Sequence, residues 1–140
     1  MAIPYLACMA LVASIYHLPP RALPAIQAVE GGKPGTIQHN KNGTDDLGVM
    51  QVNTRWLPAL SAYTGLPPEV VRTRLIEQPC FNIAAAGAIL KSYLIEAHDE
   101  LLPAIGYYHS HTPLLHERYR ALVTKAAAGL FGNPASSGPQ

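Results

Sequence analysis

The sequence predicts a single, mainly α-helical domain. A chain of 140 residues is long enough to bury one core, and the balance of 49% hydrophobic to 14% charged residues is that of a globular protein. Proline and glycine divide the chain into segments of helical length. Almost none of these segments shows the alternation of β-branched and polar residues that is typical of strands.

The first two helices are predicted from the positions of proline and glycine. The first spans Pro4–Tyr16. Pro19-Pro20 closes the connection and opens the second helix, because proline suits the first helical turn. Pro24 lies close enough to this start for its missing N–H to cost little. Gly31-Gly32 end the helix directly after Glu30.

A polar loop rich in glycine, asparagine and aspartate follows over residues 31–47. Asn42-Gly43 is a hairpin-type pair, so a short β-hairpin is predicted within this loop. Asp45 and Asp46 are expected in a turn, where aspartate commonly bonds its own backbone.

The remaining helices follow from the same signals. In chain order we expect a helix capped by Asn53 or Thr54 and ended by Gly65, then Pro67–Ile76, a long helix from Cys80 or Asn82 to Ala97, a short helix from Asp99 or Glu100 to His109, and Pro113–Ala128 ended by Gly129. Residues 132–140 are rich in proline, glycine and serine and are predicted to be a disordered tail, which leaves residues 1–131 as the domain.

Charge and hydropathy exclude several classes of function. The net charge is +1 and there is no cluster of Lys and Arg, so the chain lacks the basic surface of a nucleic-acid-binding protein. No apolar stretch reaches the length needed to span a membrane. Ile3–Ile15 is apolar but lacks the basic start of a signal peptide. We therefore interpret it as the first core helix and expect an export peptide to be absent from this chain.

The two cysteines, Cys8 and Cys80, are too few for a four-cysteine metal site. A pair in a small secreted domain suggests a disulfide. Two separately buried thiols are equally compatible with the spacing, since free cysteine is often buried.

Glu30 stands out among the nine acidic residues. Its neighbours along the helix are apolar, and Gly48-Val-Met-Gln-Val-Asn53 follows after the polar loop. Burial raises the pKa of a carboxylic acid, and an acid kept protonated near neutral pH can donate a proton to a leaving group. A surface acid at the end of a helix is the alternative interpretation of the same pattern.

Four motifs in this order resemble the lytic transglycosylases of the soluble, goose-lysozyme-like type. They are Glu30, Gly48–Asn53 with the preceding Asn40–Asp46 loop, Pro79–Ile83 with Gly87, and Ala104–Ser110. The resemblance extends from about Cys8 to Val123. His109-Ser110 and the two cysteines are most similar to the small transglycosylases that accompany bacterial secretion, conjugation and pilus systems. The chain departs from the family at Gly31, where a serine is usual, at Asn40, which aligns with a second serine, and at His109, where many relatives have asparagine.

The resemblance implies a lysozyme-like fold and a defined reaction. The enzyme would cleave the β-1,4 bond between N-acetylmuramic acid (MurNAc) and N-acetylglucosamine (GlcNAc) in peptidoglycan, with Glu30 as the catalytic acid and then base, and would form 1,6-anhydro-MurNAc. The implied substrate-binding residues are Asn40, Met50, Gln51, Asn53 and Tyr108. Met50 also fits simple core packing and Asn53 a helix cap, while Asp46 is a weaker candidate for a second catalytic acid.

The resemblance also implies a Cys8–Cys80 disulfide, no cofactor, no metal, and a periplasmic location. The expected partners are peptidoglycan glycan strands and a secretion, conjugation or pilus apparatus, with the enzyme itself a monomer. Two alternatives stay open, namely a lysozyme that uses water as the nucleophile and a non-catalytic glycan-binding assembly factor. A zinc hydrolase is disfavoured, because the histidines 98, 109, 111 and 116 lack a metal-binding helix motif.

Overall fold

The computed structural model describes residues 3–132. Within them the chain forms seven α-helices and three short strands, so the predicted mainly α fold is confirmed. The helices are α1 (Leu6–Tyr16), α2 (Ala22–Glu30), α3 (Leu57–Thr64), α4 (Pro68–Glu77), α5 (Pro79–Glu96), α6 (Leu101–His109) and α7 (Pro113–Phe131). The strands are β1 (Ile37–His39), β2 (Asp45–Leu47) and β3 (Val52–Asn53), and a 3-10 turn, Thr54–Trp56, leads into α3. This architecture is consistent with a lysozyme-like domain.

Most helix ends lie where proline and glycine predict them. Proline occupies the first turn of α4 and α7, and Gly65 ends α3 in the left-handed conformation with φ 76°. The prediction that Gly129 ends α7 is wrong. The helix continues to Phe131, and Gly132 caps it with φ 82°. A glycine inside a helix costs about 1 kcal/mol relative to alanine, which a long helix tolerates.

The predicted hairpin is present around Asn42-Gly43. Strands β1 and β2 pair antiparallel, with Ile37 opposite Leu47 and His39 opposite Asp45. The expectation that Asp45 and Asp46 lie in a turn is wrong, since both are in β2. Strand β3, which was not predicted, adds to the other edge of β2.

The described residues divide into two compact units. One comprises residues 3–29 and 87–132, and the other comprises Glu30–Ala86. The core of the first unit includes Met9, Leu23, Ile26, Leu90 and Val123, each at most 2% exposed. The core of the second includes Leu47, Met50, Val71, Leu75 and Ile83, each at most 1% exposed. The assignment of residues 1–131 to one domain stays a prediction. Of the predicted tail, 132–140, all but Gly132 lies outside the described residues.

Cys8 and Cys80 are both disulfide-bonded, and neither cysteine is free. The disulfide implied by the family resemblance is therefore present. Over residues 3–132, no helix combines the length and the apolar character needed to cross a membrane.

Candidate functional site

Glu30 is the last residue of α2. The helix buries its first five residues, Ala22–Ile26, and the side chain of Glu30 is half-buried at the opposite end. Gly31 follows with φ 66°, a left-handed conformation that ends the helix and that favours glycine over other residues. This backbone conformation gives a structural reason for glycine where the family usually has serine.

Gly32 brings the segment after Glu30 against the Gly48–Gln51 turn. A Cβ atom added to Gly32 would lie 2.0 Å from the carbonyl oxygen of Gly48 and 2.8 Å from that of Val49. Only a residue without a side chain allows two backbone segments to approach this closely. Glu30 is thus two residues from a direct backbone contact with the turn, and the structure brings these two sequence motifs together.

Two residues of the turn itself have left-handed backbone conformations. Gly48 has φ 67° and Gln51 has φ 53°, which is unusual for a residue with a side chain. The carbonyl oxygen of Gly48 accepts hydrogen bonds from the backbone N–H of Gln51 at 3.1 Å and from its side-chain Nε2 at 2.9 Å. Gln51 is 8% exposed and Met50 is fully buried. The Gln51 amide therefore holds its own turn, while the Met50 side chain belongs to the core.

Asn82, on α5, supports the turn from within the core. It is 0% exposed, its Oδ1 accepts from the backbone N–H of Met50, and its Nδ2 donates to the carbonyl oxygens of Leu47 and Leu75, each at 2.8 Å. In the sequence, Asn82 is a possible start of a helix and lies within the Pro79–Ile83 motif, but neither observation predicts this role. The one sequence signal for a buried polar role of Asn82 is that a single amide precedes the apolar helical residues Ile83–Ala86.

Asn53 and Asp46 belong to a polar network on the sheet. The Nδ2 group of Asn53 donates to Oδ1 of Asp46 and to Oγ1 of Thr44, both at 3.0 Å, and its Oδ1 accepts from the backbone N–H of Arg55. Asn53 is thus the cap of the 3-10 turn, as one sequence interpretation had it. Asn40 joins the same network by donating from Nδ2 to Thr44 Oγ1 at 3.2 Å. Substrate contacts by Asn40 and Asn53 stay predictions.

Asp45, for which the sequence predicts a turn, forms a charged cluster in this unit. Its carboxylate bonds Nδ1 of His39 at 2.6 Å and the guanidinium of Arg72 at 2.9 Å. The hydrogen bond from His39, with a further contribution from Arg72, lowers the pKa of Asp45 below its ordinary value of 3.8. Arg72 is on α4, so this cluster ties the hairpin to that helix.

Tyr108 lies on α6, in the other unit, and is half-buried. Its ring is stacked near that of Tyr119, with centroids 6.5 Å apart. His109 stacks on the same Tyr119 ring at 4.8 Å. The predicted substrate contact of Tyr108 stays a prediction.

The other histidines of this region make aromatic and polar contacts. His111 stacks on Tyr107 at 4.2 Å and bonds Glu96 at 2.6 Å, while the ring of His116 is buried beside Gly106. Among the residues that the structure describes, no group of three His, Cys, Asp or Glu side chains could hold a metal ion.

Comparison with known proteins gives a distant similarity. No family model matches the chain. The chain is similar to Invasion protein IagB of Salmonella typhimurium, strains SL1344 and LT2, and of Salmonella typhi. Each relative is 27% identical over 106 residues, which is 75% of this chain. The match covers 62% of the length of these curated relatives.

Proposed function

We propose that this chain is a peptidoglycan lytic transglycosylase that cleaves the MurNAc–GlcNAc β-1,4 bond with formation of 1,6-anhydro-MurNAc. The observation that supports the proposal is the approach of Gly32, two residues after the half-buried Glu30, to the Gly48–Val49 backbone. Glu30 and the Gly48–Asn53 segment are two of the motifs on which the family resemblance rests, and the polar loop separates them in the sequence.

The proposed reaction needs one carboxylic acid. Glu30 donates its proton to the glycosidic oxygen, and the bond from that oxygen to the anomeric carbon of MurNAc breaks. The N-acetyl group of the substrate stabilises the positive charge that develops on the sugar. The Glu30 carboxylate then takes the proton of the MurNAc 6-hydroxyl, whose oxygen attacks the anomeric carbon. Because the nucleophile belongs to the substrate, its effective concentration is high and no water is consumed.

The surrounding residues support this reaction in different ways. Gln51 donates one N–H of its Nε2 group to the Gly48 carbonyl oxygen, and its amide oxygen is suited to accept an N–H from an N-acetyl group. Asp46 accepts from Asn53, and this contact favours a role in ordering the sheet over a role as a second catalytic acid. The proposal retains substrate contacts by Asn40, Asn53 and Tyr108.

The proposed cellular role is based on the similar proteins and on the disulfide. The similar Salmonella proteins are named invasion proteins, which supports a role in opening the cell wall locally for a secretion, conjugation or pilus apparatus. The disulfide formed by Cys8 and Cys80 fits an oxidising compartment such as the periplasm.

A Glu30→Gln variant tests the catalytic assignment. It keeps the shape of the side chain and removes the proton donor, so the rate of clearing of a cell-wall suspension should fall at least about 10²-fold. The matched control is Glu77→Gln, which changes an exposed acid at the last position of α4 and should leave the rate unchanged. Equal clearing by wild type and Glu30→Gln would show that Glu30 is not the acid.

Mass spectrometry of the wild-type products separates the two enzymatic alternatives. Anhydro ends support the transglycosylase, whereas reducing ends, which are heavier by one water, would assign the chain as a lysozyme. Binding of glycan strands without any cleavage would leave the non-catalytic assembly factor.

A further inference from the structure

Asn82 is a polar side chain in the most deeply buried part of its unit. It is 0% exposed, as are Val71, Leu75 and Ile83. Burying an amide in such surroundings is costly unless its hydrogen-bonding groups are used. The three hydrogen bonds of Asn82 use both N–H groups of its amide and one lone pair of its oxygen.

Those three bonds join three segments of the chain. Leu47 is the last residue of β2, Met50 lies in the turn, and Leu75 is near the end of α4. The carbonyl of Leu75 is one of the final four of its helix and so has no partner within a regular helix. One side chain thus satisfies an orphan helix carbonyl and two backbone groups on either side of Gly48.

The turn contains a backbone conformation that residues with side chains do not favour. Gln51 occupies a left-handed conformation with φ 53°, and such strain persists only where the surroundings impose it. Gly48 is enclosed as well, because a Cβ there would lie 2.2 Å from the Leu75 oxygen and 2.6 Å from Asn82 Nδ2. Gly32 contacts the same turn through the Gly48 and Val49 oxygens.

We infer that Asn82 is a positioning residue, which fixes the Gly48–Gln51 turn in its strained conformation against Gly32, two residues after Glu30. The inference rests on the proposed function for its effect on catalysis. Its effect on the turn is independent of any activity. Asn82 itself is fully buried and acts only through the backbone of the turn.

Hydrogen exchange followed by NMR measures the turn directly. In Asn82→Ala, the amides of Met50 and Gln51 should exchange at least about tenfold faster than in wild type, since a buried hydrogen bond is lost. The control is Leu90→Ala, which removes a fully buried side chain from the same helix and should accelerate slowly exchanging amides throughout the protein, with no excess in the turn. Glycan cleavage per folded molecule should fall about 10²-fold in Asn82→Ala and stay at the wild-type value in Leu90→Ala.

An Asn82→Asp variant keeps the test decisive if Asn82→Ala does not fold. Its carboxylate still accepts from Met50 N–H but cannot donate to the carbonyls of Leu47 and Leu75, and burial raises its pKa. Protonation of the introduced carboxylate restores one hydrogen-bond donor. Exchange at Met50, relative to wild type at the same pH, should therefore slow towards the wild-type rate as the pH falls.

The outcomes separate this inference from the proposed function. Faster hydrogen exchange confined to the turn, together with loss of glycan cleavage in Asn82→Ala, supports both the inference and the proposed function. Selective exchange with a wild type that does not cleave glycan supports the role of Asn82 in the turn and refutes the proposed function. Exchange at Met50 and Gln51 that rises no more in the Asn82 variants than in Leu90→Ala overturns the inference.

Discussion

The contact between Gly32 and the turn can be tested by adding one methyl group. In Gly32→Ala the new Cβ would lie 2.0 Å from the Gly48 oxygen, whereas ordinary van der Waals contact begins at 3.4 Å. The obstructing atoms are backbone, so no side chain can rotate away. The two segments must separate, and a displacement of about 1 Å near reacting groups can lower a rate about 10²-fold.

The loss of stability expected for Gly32→Ala can be compared with that expected for Gly31→Ala. Overpacking a tight site typically costs about 1–3 kcal/mol, and we expect Gly32→Ala to cost about 3 kcal/mol or more because backbone must move. In Gly31→Ala the added Cβ meets nothing within 4 Å, and only the left-handed conformation at φ 66° is penalised. That penalty is about 1–2 kcal/mol.

Urea denaturation of the two variants gives the free energies of unfolding, provided that the m-value matches wild type. Gly43→Ala is the control for activity, because Gly43 has φ 87° and open space around it in the hairpin turn. Gly32→Ala should lose cleavage beyond what its unfolded fraction explains, and Gly43→Ala should not. A Gly32→Ala protein as stable as Gly31→Ala and fully active would refute the close approach and the site built on it.

Two further predictions concern stability. Asp45→Asn removes the negative charge and one of the two carboxylate oxygens that bond His39 and Arg72, so it should lower the free energy of unfolding at neutral pH. Because the pKa of Asp45 is lowered in the folded state, its contribution is present above pH 3.8 and is lost as the pH falls through the folded-state pKa. The difference between the urea midpoints of the two proteins should therefore vanish in acid. A constant difference down to low pH would contradict this origin. Replacing Cys8 and Cys80 together by serine should lower the free energy of unfolding by about 4 kcal/mol in the chain-entropy model, as measured by urea denaturation under oxidising conditions. An unchanged urea midpoint would show that the disulfide does not stabilise the protein.

Local signals in the sequence predicted most of the secondary structure correctly. Proline at a helix start and glycine just beyond a helix end act through the backbone conformation of a few neighbouring residues. Gly31 after α2 and Gly65 after α3 are examples, each with a positive φ. Gly129 was misread because a glycine only permits a helix to end, and α7 continues through it to Phe131.

Contacts between distant residues were not predictable in this way. Asp45 favours a turn by itself, but strand pairing with His39 and the bond to Arg72, 27 residues away, place it in β2. Asn82 is similar, since two of its partners lie 32 and 35 residues away. A single sequence records which residues are polar and does not record which distant groups they meet.

Some features of the candidate site follow from the sequence alone, and others depend on the tertiary structure. The sequence by itself predicted Glu30 and Gln51 as site residues, through a resemblance to a known family, and it predicted that glycine follows α2, because motifs and backbone preferences are local properties. The tertiary structure alone decided that Gly32 packs on Gly48, that Asn53 donates a hydrogen bond to Asp46, and that Asn82 bonds the turn. The physical reason is that a buried hydrogen-bonding group must find a partner, and only the folded chain determines which partner lies within about 3 Å of it.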